Sequence, residues 1–217
     1  MHKSIVNLNT IVNLLNTKAN TIVTPSIIAV SKTFPISEIL PLINHGHIHF
    51  GENKVQEALE KWTSIKDDFK HINLHMIGKL QTNKVKYVVP LFDYIHSLDN
   101  IRLAEKISAE QLKKNKKLKI FIQINIGEEE QKSGIYVDQL QSFYEKCVNE
   151  LKLDIVGLMC LPPKNIQTTD YFLKMKQLAL KIGLKDLSMG MSDDFLSAAK
   201  NGATYLRIGS KIFGNRS

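Results

Sequence analysis

One pattern constrains this chain more than any other. Short β-branched and aliphatic runs alternate with segments whose apolar residues recur every three or four positions. The runs fall at 26–31, 47–53, 73–78, 92–98, 119–125, 155–160, 187–190 and 205–209. Such runs read as strands buried on both faces, and the intervening periodicity reads as helix. An additional helix is expected before the first strand, because Ile5, Leu8, Val12 and Leu15 share a face, with its end near Asn20. Eight strand–helix units within 217 residues predict a single-domain (β/α)8 barrel of the TIM type spanning 1–217. A doubly wound open sheet is the competing architecture, but no G-x-G-x-x-G follows the first strand.

Turn and cap residues set the expected boundaries. Ser37, Asp99 and Ser192 read as helix N-caps, and Asn53 with Gln56 reads as a variant capping box. Pro90 is expected to stop the helix that starts at Thr82.

In a barrel of this kind, active groups stand at the C-terminal strand ends and in the loops after them. The first such end carries Lys32. Strand side chains alternate, so Ile28, Val30 and Lys32 share the inward face. By itself Lys32 reads as a lysine that keeps its amine in solvent. Further along, His49 has the parity of Asn53, Gln123 that of Asn125, and Tyr205 that of Arg207, so several polar groups are expected to face the barrel mouth. The last two loops contain Gly190, Ser192, Gly209 and Ser210. They follow strands seven and eight, where barrel enzymes bind phosphate at a helix start. Ordinary capping accounts for Ser192 equally well, and Asp193 and Asp194 would repel a phosphate unless they point away. A lysine facing a phosphate admits two chemistries, a Schiff-base aldolase and a pyridoxal phosphate aldimine. Arg207 favours the second. Arginine only donates hydrogen bonds, so beside a pyridine nitrogen it keeps that nitrogen unprotonated.

The totals exclude other classes. With 43% hydrophobic and 23% charged residues the composition is that of a globular protein. No apolar stretch reaches the ~18 residues of a membrane helix, and the first residues lack a signal-peptide core, so the cytoplasm is expected. Cys147 and Cys160 show no metal-binding spacing and are expected to be reduced packing residues. The net charge of +8 raises the question of nucleic acid. The lysines are scattered apart from 113–119, with few aromatics to stack bases, so that role is disfavoured.

Several motifs together resemble one family. They are Ala29-Val-Ser-Lys-Thr33, Phe50-Gly-Glu-Asn-x-Val-Gln-Glu57, His75-x-Ile-Gly-x-Leu-Gln-x-Asn-Lys84, Ile122-Gln-Ile-Asn125, Lys132-Ser-Gly134, Gly157-Leu-Met159, Leu187-Ser-Met-Gly-Met-Ser-Asp-Asp194 and Arg207-Ile-Gly-Ser-x-Ile-Phe-Gly214. The chain resembles the pyridoxal phosphate homeostasis protein family (YggS/PROSC), a barrel similar to the alanine racemase N-terminal domain. The resemblance implies Lys32 as the aldimine lysine. It also implies Ser192, Gly209 and Ser210 around the phosphate, with backbone help from Met189 and Gly190. Arg207 would stand beside the pyridine nitrogen and Asn53 near the ring. It gives no role for Glu52, His75, Gln81, Asn83 or Lys84. Phe34 and Lys54 depart from the family pattern and bear on the rim alone.

Two functions follow as expectations. The first is a non-catalytic protein that stores or delivers pyridoxal 5′-phosphate, with apo-enzymes as recipients, and so affects amino- and keto-acid balance. It is expected to be a monomer, since the second domain of a racemase is not seen in this sequence. The alternative is a slow amino-acid racemase or Schiff-base lyase, for which no opposing base is identified.

Overall fold

The computed structural model describes residues 1–19, 24–163 and 167–214. Its centre is a closed parallel barrel in strand order β1 to β8. The strands are β1 (Ser26–Val30), β2 (His49–Glu52), β3 (Asn73–Met76), β4 (Tyr94–Leu98), β5 (Lys119–Ile124), β6 (Asp154–Cys160), β7 (Asp186–Ser188) and β8 (Tyr205–Ile208). Around them lie α2 (Ile36–Asn44), α3 (Val55–Trp62), α4 (Val85–Leu91), α5 (Ile101–Lys114), α6 (Leu140–Glu145), α7 (Thr169–Lys181) and α8 (Phe195–Lys200). Helix α1 (Lys3–Leu14) precedes the barrel and α9 (Ser210–Phe213) follows it. The barrel with its extra N-terminal helix is the architecture that the alternation predicts. A π-helical turn carries the first helix to Ala19; its expected end at Asn20 lies outside the described residues.

The two faces of each strand do different work. Outward residues such as Ala29, Phe50, Leu74, Ile95 and Leu206 are buried against the helices, which return Ile39, Trp62, Leu103 and Phe172. Burying side chains of this size stabilises by about 1.5–3 kcal/mol each. The inward face is a separate, small cluster of Tyr94, Phe121 and Met159, with Val156 and Tyr205 against it. Polar residues complete this face, as described below. Helix α1 packs on α2 and α9. The Asn7 amide donates to the Ile212 carbonyl at 2.9 Å, so α1 props the helix that begins at the barrel mouth.

Several boundary expectations are corrected. Ser37 lies inside α2, whose N-cap is Pro35. Asn100, not Asp99, caps α5, its side chain accepting from Leu103 N at 2.9 Å. Lys54 occupies the N-cap of α3, so Asn53 does not cap it. Asp194 takes the N-cap position of α8 in place of Ser192. Helix α4 continues one residue past Pro90. A proline costs little there, because the one hydrogen bond it removes belongs to the last turn. Cys147 and Cys160 are buried free thiols, and burial pushes both up to about 12.

Candidate functional site

A cavity of about 1140 Å³ opens at the C-terminal end of the barrel. Lys32, Asn53, Ser192, Arg207, Gly209 and Ser210 all line it. These are six of the eight positions that the sequence singles out. Met189 and Gly190 do not line it; Met191 and Ser192 stand there instead. The Met189 N–H is already used, donating to Tyr205 O at 3.2 Å. Gly190 has a structural reason: its φ is +88° and a Cβ would come within 2.4 Å of the Ala198 Cβ.

The end of β1 delivers Lys32, and a clamp from β2 and α3 holds the residues around it. Ser31 Oγ donates to Glu52 Oε1 at 2.7 Å, and Trp62 Nε1 donates to the same oxygen at 3.1 Å. Lys61 Nζ pairs with Glu52 Oε1 at 2.7 Å and with Glu57 Oε1 at 2.8 Å. The same amine donates to the carbonyls of Ser31 at 2.9 Å and Phe34 at 3.3 Å. Glu57 accepts from the backbone N–H of Thr33, whose φ is +68°. Positive φ is costly for a β-branched residue, so this turn needs the bonds that hold it. Burial raises the Glu52 pKa, with the Lys61 charge opposing. Phe34 stacks on Phe213 with centroids 4.9 Å apart, which ties the Lys32 turn to α9.

Strand β8 delivers Arg207. It pairs with Ile28, two inward positions below Lys32 on the neighbouring strand, so it forms the cavity floor. Arg207 is only 5% exposed and donates to Ser188 Oγ at 2.7 Å and Cys160 O at 2.8 Å. No carboxylate among the described residues forms an ion pair with it. A buried cation held only by neutral acceptors favours an anionic ligand. Just past the end of the same strand, Ser210 Oγ donates to Ser192 Oγ at 2.9 Å, and Lys211 N donates to Ser192 Oγ at 3.4 Å. Ser192 thus serves the start of α9, not α8. The first N–H groups of a helix lack intrahelical partners and suit an anion. Asp194 is turned aside, its Oδ1 accepting from Met191 N at 2.7 Å, while Asp193 lines the cavity.

Asn53 gives the most direct sign of a missing partner. Its Oδ1 is buried without a hydrogen bond. The backbone there is jammed against the turn that follows β3, since a Cβ on Gly78 would fall 2.1 Å from Asn53 O. An unsatisfied buried oxygen costs about 1–3 kcal/mol, and this one belongs to a cavity-lining residue. Gln123 and Asn125 also line the mouth, as their parity predicts, and both hold the 129–133 loop through backbone carbonyls.

Other motif residues lie elsewhere. Gln81, Asn83 and Lys84 sit on the link between β3 and α4, outside the cavity lining. His75 lies within the barrel, fully buried. His49 and Tyr205 face inward as their parity predicts but open β2 and β8, below the mouth, and do not line the cavity. The clamp, and the linkage of His49 with His75 and His96, are what sequence reasoning missed. The signals were present as the inward parity of His49, His75 and His96 and the spacing of Lys61 from Glu57. The basic stretch 113–119 is partly committed to packing: Lys116 Nζ donates to Pro90 O at 3.0 Å and Lys119 Nζ to Tyr94 Oη at 3.3 Å.

Comparison with known proteins places this arrangement. Residues 6–217 match the model of the alanine racemase N-terminal domain. A pyridoxal phosphate homeostasis protein of Aquifex aeolicus is 38% identical over 199 residues, covering 88% of this chain and 86% of that protein. Its counterpart from Escherichia coli is 36% identical over 200 residues, with 88% and 86% covered. PipY of Synechococcus elongatus, solved with pyridoxal phosphate bound, superposes with a TM-score of 0.86 at 30% identity, covering 97% of this chain and 100% of PipY. An alanine racemase of Clostridium difficile shares the fold at 13% identity with a TM-score of 0.77; the alignment covers 99% of this chain and 57% of the racemase. With the barrel, its mouth and these relatives in agreement, the chain belongs to the pyridoxal phosphate homeostasis protein family, within the alanine racemase N-terminal domain class.

Proposed function

We propose that this protein binds pyridoxal 5′-phosphate as a Schiff base on Lys32 and serves cofactor homeostasis by storing it and passing it to apo-enzymes. The observation that carries the reading is the convergence of four groups on one cavity: Lys32, the buried guanidinium of Arg207, the unpartnered Asn53 Oδ1, and the serine pair at the start of α9. Three of them match parts of the cofactor directly, and the Asn53 oxygen stands among them. An amine suits its aldehyde, a donor its ring nitrogen, and hydroxyls with helix N–H groups its phosphate. The relatives named for pyridoxal phosphate homeostasis, and PipY with the cofactor bound, support the same assignment.

When bound, the cofactor supplies an aldehyde that condenses with a lysine amine and a ring that draws electron density from an attached carbon. The chain's own residues do the rest. The clamp on Ser31, Thr33 and Phe34 fixes the direction in which Lys32 leaves β1. Arg207 presents a donor that does not give up its proton, which keeps a facing ring nitrogen unprotonated and the ring a weak electron sink. Holding is favoured over turnover on that account. Racemisation also needs proton acceptors on both faces of a substrate, and the described residues lining the cavity include no tyrosine or histidine. We assign the protein to the cytoplasm, consistent with two buried thiols and with the absence, among the described residues, of a helix long and apolar enough to cross a membrane.

The test is borohydride reduction of the protein incubated with pyridoxal 5′-phosphate, followed by peptide mass spectrometry. One adduct on Lys32 is expected, lost in Lys32→Ala with folding intact. An adduct distributed over surface lysines, or a visible band unchanged in Lys32→Ala, would falsify the assignment. Stereochemical loss from a single-enantiomer amino acid, abolished by the same variant, would establish the enzymatic alternative.

A further inference from the structure

A hydrogen-bonded chain runs through the barrel interior beneath Arg207. Arg207 Nη1 lies 2.7 Å from Ser188 Oγ, which lies 2.8 Å from His96 Nδ1. His96 Nε2 is 2.9 Å from His75 Nδ1, and His75 Nε2 is 2.9 Å from His49 Nδ1. Ser188, His96 and His75 are wholly buried, and the half-buried His49 opens β2 at the N-terminal end of the barrel. Aromatic neighbours fix the ring planes. His96 stacks on Phe121 at 4.3 Å and His75 on Tyr94 at 4.2 Å. Nitrogens this close are hydrogen-bonded; two ligands of one metal ion stand farther apart.

Arginine sets the polarity of the chain. It only donates, so Ser188 Oγ accepts from it, and the one serine hydrogen is left for His96 Nδ1. His96 Nδ1 must then accept, which puts its ring proton on Nε2. That proton goes to His75 Nδ1, and the same step repeats towards His49. The reverse polarity would leave the buried Ser188 hydroxyl hydrogen without an acceptor. A second proton on His96 or His75 would break a bond in the chain; burial holds both rings neutral, and at His96 the guanidinium charge adds to it.

We propose that Ser188 and His96, supported by His75, are positioning residues for Arg207: a neutral chain of Nε2–H imidazoles that aims the guanidinium at the cavity without compensating its charge. A carboxylate in the place of Ser188 would hold the arginine equally well but neutralise it. The chain orients Arg207 and adds no charge of its own; Asp194 acts on the guanidinium through space, without an ion pair. The cofactor role rests on the pyridoxal phosphate reading above; the tautomer assignment does not.

Two measurements test it. In the free protein, nitrogen-15 NMR of the imidazoles at neutral pH is expected to show protonated Nε2 and unprotonated Nδ1 for both His75 and His96. Nδ1–H tautomers or imidazolium rings would overturn the chain. With pyridoxal 5′-phosphate added, Ser188→Ala is expected to weaken affinity about tenfold, the effect of losing a hydrogen bond to a charged group, and to shift the visible band. Ser188→Thr should restore both. His96→Gln, which can accept from Ser188 and donate to His75, should stay near wild type, while His96→Leu follows Ser188→Ala. Thermal melts identify any variant that fails to fold. A folded Ser188→Ala with wild-type affinity and spectrum would overturn the positioning role. Absence of any reducible adduct in the wild type would sink the cofactor reading instead, and the tautomer spectra would then decide the chain alone.

Discussion

The two faces of the same eight strands make an instructive contrast. Outside, between sheet and helices, the core is aliphatic and continuous, with Phe50, Ile95, Leu206 and Ile208 meeting Trp62, Leu103 and Phe172. Inside, the barrel holds stacked rings, three histidines, a serine and an arginine. Neighbouring residues divide between them: Phe50 faces the helices while His49 faces the interior, and Leu206 and Ile208 face out while Arg207 faces in. Stability therefore comes chiefly from one face and chemistry from the other. The inner face can be polar because its groups satisfy one another, which is the condition for burying them.

The contrast can be broken from either side. The largest effect on stability is expected from Phe172→Ala in the outer shell, at about 3–5 kcal/mol. Denaturant unfolding would measure it, and the visible band of the folded, cofactor-loaded variant should not move. A moved band would show that the two faces are coupled.

A smaller loss is expected at the junction between them. Glu52→Gln keeps the shape but removes the charge that Lys61 and Ser31 bond to, at about 1.5–3 kcal/mol. It also loosens the turn bearing Lys32, so Schiff-base formation should slow in stopped-flow absorbance. Wild-type kinetics in a destabilised variant would reduce the clamp to a packing device.

The smallest effect is a slope. Burial lowers the pKa of His47, to about 4 from 6.5, and lowers His49, His75 and His96 as well. Below pH 6.5 the unfolded chain takes up protons that these rings refuse, so stability falls as pH drops from 6.5 towards 4. Glu52 and Asp186, raised by burial, act in the opposite sense above the usual carboxylate range and offset part of the slope. Unfolding titrations across this window should show His47→Gln with a shallower slope and Phe172→Ala with an unchanged one. A flat wild-type profile would contradict the buried neutral rings.

The sequence was most legible where one chain segment carries its own information. Strand parity placed Lys32, Gln123, Asn125 and Arg207 at the mouth, because the period of two is a local property of extended backbone. Caps were less legible. Ser37, Asp99 and Ser192 all have capping side chains, yet Pro35, Asn100 and Asp194 take the cap positions. Which residue caps depends on how the chain enters the helix, and packing sets that.

By itself, then, the sequence determined the barrel, its strand order and the set of inward polar residues, since alternation and parity follow from backbone geometry. Only the tertiary structure decided which of those residues meet. Asn53 turned from a helix cap to an unpartnered cavity oxygen when β2 and β3 closed together. Glu52 acquired Ser31, Trp62 and Lys61 around one oxygen. His49, His75 and His96 sit on the neighbouring strands β2, β3 and β4, but only barrel closure brings Ser188 of β7 across the interior to His96 and so ties the three to Arg207. Such contacts depend on shear and register across the whole sheet, and no local window of sequence contains them.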